Sequence, residues 1–147
     1  METETIMQIA AKIMKDMGAG YSESIYQNAL HRKLARIDGT CVMEKIIPVV
    51  YEGDTLGVCR ADIVLEGYVI EVKAVRRMPA GVEKQVCKYV KHLMDQDGKM
   101  RKGVVINFNQ ETEEIETSEH TPEITTHTPD QLPKRRKVTP MDDADTV

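Results

Sequence analysis

The chain has 147 residues, enough for one domain with a real hydrophobic core and short for two, and its 41% hydrophobic content supports a globular body. Met1-Glu2-Thr3-Glu4 is acidic and no apolar run approaches the ~20 residues of a membrane span, which argues against a secretory leader and against a membrane protein. The net charge of -4 divides unevenly: residues 1–109 hold 16 Lys+Arg against 14 Asp+Glu, whereas residues 110–147 hold 4 against 10, so a weakly basic body precedes an acidic segment.

Residues 3–17 place Ile6, Ile9, Ala10, Ile13, Met14 and Met17 at helical spacing, which predicts an amphipathic helix ended by Gly18-Ala19-Gly20. A second helix follows Ser22, with Ile25, Tyr26, Ala29, Leu30, Leu34 and Ile37 as its apolar stripe and Asp38-Gly39 as its stop. From Cys41 to Val75 the pattern changes to antiparallel strands, two runs around Glu52-Gly53-Asp54 and two more around Glu66-Gly67. Pro79-Ala80-Gly81 opens a third helix carrying Val82, Val86, Tyr89, Val90 and Leu93 on one side and Lys84, Lys88 and Lys91 on another. The apolar run GVVINF, residues 103–108, suits a buried strand reached by a parallel crossover. The expected fold is α/β, a mixed β-sheet flanked by α-helices, in the order ααββββαβ. Cys41, Cys59 and Cys87 lack CxxC or Cys/His spacing, so neither a disulfide framework nor a zinc site is indicated, and a reducing compartment is the simplest setting.

The strand YVIEVKAV, residues 68–75, carries two opposite charges in an otherwise apolar run. Glu71 and Lys73 are two apart and share a face. With Glu66-Gly67 as a two-residue tip, facing residues have numbers that sum to 133, which sets Asp62 opposite Glu71 and Arg60 opposite Lys73. An exposed ion pair, worth about 0–1 kcal/mol, is one reading of Glu71 and Lys73. The apolar residues on both faces of the strand favour a covered sheet, in which two adjacent carboxylates repel unless a cation or proton joins them. Mg²⁺ meets that need, because it takes hard oxygen ligands, one or two of them carboxylates, and completes its shell with water and substrate phosphate.

Asp62 followed by Glu71-Val72-Lys73 resembles the D…(D/E)xK signature of the PD-(D/E)XK nuclease superfamily. GYSESIY, with Gly20, Glu23 and Tyr26, reads as the GxxExxY motif of one of its groups, and QVCKY supplies a QxxxY pair, Gln85 and Tyr89. The resemblance covers roughly residues 4–108 and implies a restriction-endonuclease-like core and a metal-dependent nuclease that hydrolyses phosphodiester bonds of nucleic acid, DNA ahead of RNA. It implies Asp62, Glu71, the Val72 carbonyl and Glu23 as ligands of Mg²⁺ (or Mn²⁺), Lys73 as the catalytic lysine, and Gln85 as a group that touches phosphate or holds Lys73. Lys84, Lys88 and Tyr89 are candidate nucleic-acid contacts. Each has a structural alternative: Glu23 as a favourable charge at a helix N-terminus, Tyr26 and Tyr89 as core, Gln85 as a boundary amide, the lysines as a solvated flank. A catalytically silent nucleic-acid-binding or adaptor module on the same fold is the alternative to an enzyme, and a homodimer or partner subunit would enlarge its small binding surface.

The expected organisation is therefore a nuclease-like domain over residues 1–109 and a disordered acidic tail over 110–147, poor in apolar residues and rich in Thr, Pro and Glu. Its balance of -6 reads as a nucleic-acid mimic that competes for the cleft. Within it Lys134, Arg135, Arg136 and Lys137 resemble a nuclear-localisation cluster read by an import receptor, which would place the protein in the nucleus or cytoplasm of a eukaryotic cell, host- or virus-encoded.

Overall fold

The computed structural model of the chain describes residues 1–122. Helices α1 (Thr3–Met17) and α2 (Glu23–Ile37) are followed by β1 (Val42–Tyr51), β2 (Asp54–Leu65), β3 (Tyr68–Lys73), α3 (Val82–Asp97), β4 (Lys102–Phe108) and β5 (Ile115–His120). The strands form one mixed sheet in the spatial order β1-β2-β3-β4-β5. Three of its pairings are antiparallel, and β3 with β4 is parallel, joined through α3.

Two apolar layers enclose the sheet. Ile6, Ala10, Tyr26, Leu30 and Leu34 of the first two helices pack with Ile63, Ile70, Val72, Ile106 and Phe108 on one face. On the other, Val82, Val86, Tyr89, Val90 and Leu93 of α3 pack with Ala61, Val64, Val69 and Val105. The two-sided cover is why β3 and β4 read as nearly continuous apolar runs. Tyr26 is fully buried, stacks on Phe108 with ring centroids 4.6 Å apart, and donates to the Gly18 carbonyl at 2.6 Å, so this tyrosine is core.

Five strands and three helices are as expected, but the order is ααβββαββ rather than ααββββαβ. The sequence between Asp54 and Leu65 is one twelve-residue strand that serves two hairpins, and counting it once per hairpin inflated the number of strands ahead of α3. The missing strand is β5, IETSEH, which pairs with β4 along its whole length from Phe108↔Ile115 to Gly103↔His120. Its polar composition and half-exposed alternation are those of an edge strand, and they hid it in the tail.

The body therefore runs through His120 instead of ending at Asn109. Residues 109–114 turn back onto the loop between α1 and α2. Gln110 Oε1 accepts from the Gly20 N–H at 2.7 Å, and Glu113 Oε1 accepts from the Ala19 N–H at 3.2 Å. Gly20 has φ +110, a conformation that only glycine adopts readily. Glu111, Glu113, Glu114, Glu116 and Glu119 thus belong to the fold, and residues 123–147 retain only five acids against four bases, which removes most of the charge behind the mimicry reading. The basic cluster at 134–137 lies outside the described residues.

Candidate active site

The β2–β3 hairpin turns through Glu66-Gly67, with Gly67 at φ +84, and its ladder runs Leu65↔Tyr68, Val64↔Val69, Ile63↔Ile70, each pair summing to 133 as expected. The next pair, Asp62 and Glu71, leaves the ladder. The Asp62 N–H donates to Glu71 Oε1 at 3.3 Å, and the Val72 N–H donates to Asp62 Oδ2 at 2.9 Å. Each carboxylate therefore takes a main-chain donor of the opposite strand, and the strands separate beyond this point. Arg60 consequently does not face Lys73. Its Cα partner is Ile46 on β1, and its guanidinium lies 3.8 Å from Glu44.

Glu71 is only 3% exposed. Burial first, and the neighbouring Asp62 charge second, push its carboxyl up to about 8, against smaller opposing effects of the Asp62 N–H and Lys73. Asp62 is also raised, by burial and by the Glu23 and Glu44 charges, although the Val72 N–H pulls it down. Two carboxyls of one site are thus destabilised as anions together, and Lys73 does not offset that. Hard oxygen donors in this condition fit a divalent cation of the Mg²⁺ or Mn²⁺ type.

Glu23 stands at the start of α2 and acts on both carboxyls through its charge. No group of three or more His, Cys, Asp or Glu side chains among the described residues is gathered closely enough to hold a metal. Lys73 is half-buried on β3 beside Asn107 of β4 and reaches a cleft of about 670 Å³, which Lys84, Gln85, Lys88, Tyr89 and His92 of α3 also line. Asp62 and Glu71 do not line that cleft, so of the three signature residues only Lys73 opens onto it. The Gln85 amide nitrogen donates to the Tyr89 hydroxyl at 2.6 Å, and among the described residues no hydrogen bond joins Gln85 to Lys73. The Tyr89 ring is buried against the sheet, and its phenol is raised by burial and by Glu71. Lys84 and Lys88 are exposed along the cleft wall.

Several residues of the site escaped the sequence. Gln27, on α2 one turn after Glu23, is 5% exposed and its Nε2 donates to Glu44 Oε1 at 3.0 Å and to the Asp62 carbonyl at 3.1 Å. Asn107 ties the end of β3 to β4, accepting from the Val75 N–H at 3.0 Å and donating to its carbonyl at 3.1 Å. Glu116 of β5 accepts from both Asn107 and Asn109, which holds its carboxyl below the usual range. The spacing of Gln27 four residues beyond Glu23 was the only available signal, since both then share a helix face.

No curated protein matches the chain. Among solved structures it is similar to the crystal structure of SSO0001, at 15% identity over 85% of this chain and 80% of that one, with a TM-score of 0.44. The family model of the PD-(D/E)XK nuclease superfamily matches residues 1–118, a span that takes in every strand except the last two residues of β5. The chain belongs to the PD-(D/E)XK nuclease superfamily.

Proposed function

We propose that the protein is a metal-dependent phosphodiesterase that cleaves nucleic acid, with DNA as its substrate. One observation carries the reading: Glu71 and Asp62 meet at the open end of a hairpin, both with raised carboxyls, next to a lysine that reaches a cleft. Asp62, Glu71 and the Val72 carbonyl would hold Mg²⁺ or Mn²⁺, with Glu23 acting through a bound water or through its charge. The ion, when bound, supplies Lewis acidity toward a phosphate oxygen and lowers the pKa of water. Lys73 orients the attacking water or stabilises the negative charge that develops on the phosphoryl oxygens. Lys84 and Lys88 attract the phosphate backbone into the cleft, and the Gln85–Tyr89 hydrogen bond fixes that wall.

A homodimer or partner subunit would extend the small contact surface, and recognition of residues 134–137 by an import receptor would carry the protein to the nucleus. Cleavage of single-stranded, duplex and branched DNA with Mg²⁺ or Mn²⁺ tests the chemistry. The parent should cut, and Lys73→Ala and Asp62→Asn should each lose at least about 100-fold. Cleavage surviving both substitutions would place the activity elsewhere, and binding without cleavage by the parent would favour the silent binding or adaptor module.

A further inference from the structure

The break in β2 at Asp62 is itself held in place. On β1, Met43↔Ile63 and Lys45↔Ala61 keep one register, yet Glu44 and Asp62 between them do not pair, and Glu44 adopts φ +55, in the left-handed region. Such a conformation in a non-glycine residue costs on the order of 1–3 kcal/mol and persists only where its surroundings enforce it. Across the same point the strand changes face. Ala61 packs in the α3 layer and Ile63 in the α1/α2 layer, although residues two apart on a regular strand share a side. Alternation continued from Ala61 would turn Asp62 toward α1 and α2; alternation continued from Val64 turns it toward Glu71. The hairpin register sets Asp62 on the Glu71 face, and the irregularity on its Ala61 side ends the ladder there, where the Asp62 and Val72 N–H groups bond the two carboxylates instead.

Gln27 occupies this irregularity. The Asp62 carbonyl takes its donor from the Gln27 amide at 3.1 Å, and the same amide nitrogen donates to the Glu44 carboxylate at 3.0 Å. Its side chain is buried, and the two amide hydrogens serve one acceptor each.

We infer that Gln27 is a positioning residue: by bridging Glu44 and the Asp62 carbonyl it keeps β2 broken at Asp62, so that the Val72 and Asp62 N–H groups stay bonded to the Asp62 and Glu71 carboxylates and hold them in place. It touches neither metal nor substrate. Its consequence for metal binding rests on the proposed function; its consequence for the geometry does not.

Gln27→Met keeps the length and removes both donors. Two readouts separate the inference from the function on which part of it rests. Without metal, the Val72 amide, bonded to Asp62 Oδ2, should exchange with solvent at least about 10-fold faster than in the parent, while the Ile70 amide in the regular ladder stays unchanged. With metal, Mn²⁺ affinity measured by electron paramagnetic resonance should fall about 10–100-fold, the usual loss when an outer-sphere hydrogen bond to a metal site is removed. Leu30→Ala, in the core face of the same helix, controls for general destabilisation: it should lower the melting temperature and leave the Val72-to-Ile70 exchange ratio alone. If Gln27→Met does not fold, Gln27→Asn, too short to span both acceptors, is read in the same way. An unchanged exchange ratio in the substituted protein overturns the inference. A parent that binds no Mn²⁺ overturns the metal reading instead, and the amide measurement still decides the role of Gln27.

Discussion

The two ends of the β2–β3 hairpin share one turn and one register but are built differently. From Leu65↔Tyr68 to Ile63↔Ile70 the main chains pair, every side chain is apolar, and each is buried in one of the two layers. One residue further, the side chains of Asp62 and Glu71 take over the main-chain donors, and both carboxyls carry raised pKa values. The closed end holds the fold together. The open end opposes it, because two anions in a covered site repel and neither is fully hydrated. Local instability of this kind is expected where a protein is organised around chemistry.

Substitutions at the two ends should therefore move stability in opposite directions. The largest effect belongs to Ile70→Ala, a fully buried residue of the closed end, which should lose about 2–5 kcal/mol in urea unfolding. A loss under 1 kcal/mol would mean that the hairpin is not a packed element. Glu71→Gln should do the reverse in metal-free buffer. A carboxyl raised from 4.5 to about 8 in the folded state favours folding most fully below pH 4.5, and that contribution is lost as pH rises toward 8. The parent should weaken over this window and the variant should not, leaving the variant ahead at pH 8 by on the order of a few kcal/mol. Parallel pH profiles for the two proteins would contradict the buried pair.

A smaller change tests whether the open end depends on the turn after β4. Gln110→Ala removes the acceptor of the Gly20 N–H and should cost about 1 kcal/mol in the same assay, with no pH dependence of its own. The smallest, Lys12→Ala, breaks an exposed pair with Asp16 at 3.1 Å on α1 and should stay within about 0.5 kcal/mol, which sets the floor against which the others are read.

Much of this was legible in the residue pattern, for identifiable reasons. Helical spacing of apolar residues marked α1, α2 and α3 because each buries a single stripe. Glu66-Gly67 marked the hairpin register because a two-residue turn leaves one pairing. β5 was hidden because an edge strand with one wet face has the composition of a tail. The separation of β2 from β3 was hidden because periodicity assumes unbroken alternation, whereas the β2–β3 ladder stops at Ile63↔Ile70 and does not reach Arg60 and Lys73. Gln27 and Glu44 had no sequence signal of their own beyond the helical spacing of Gln27 from Glu23. Their meaning comes from a left-handed residue and a change of face, both properties of the assembled sheet.

Urea unfolding at pH 8 with and without millimolar Mg²⁺, on the parent and on Glu71→Gln, tests the shared-cation account most directly. Mg²⁺ should stabilise the parent and leave Glu71→Gln nearly unmoved, since an ion bound only by the folded state adds its binding energy to stability. Equal shifts in both proteins, or none in the parent, would show that the two carboxyls do not hold a divalent ion between them.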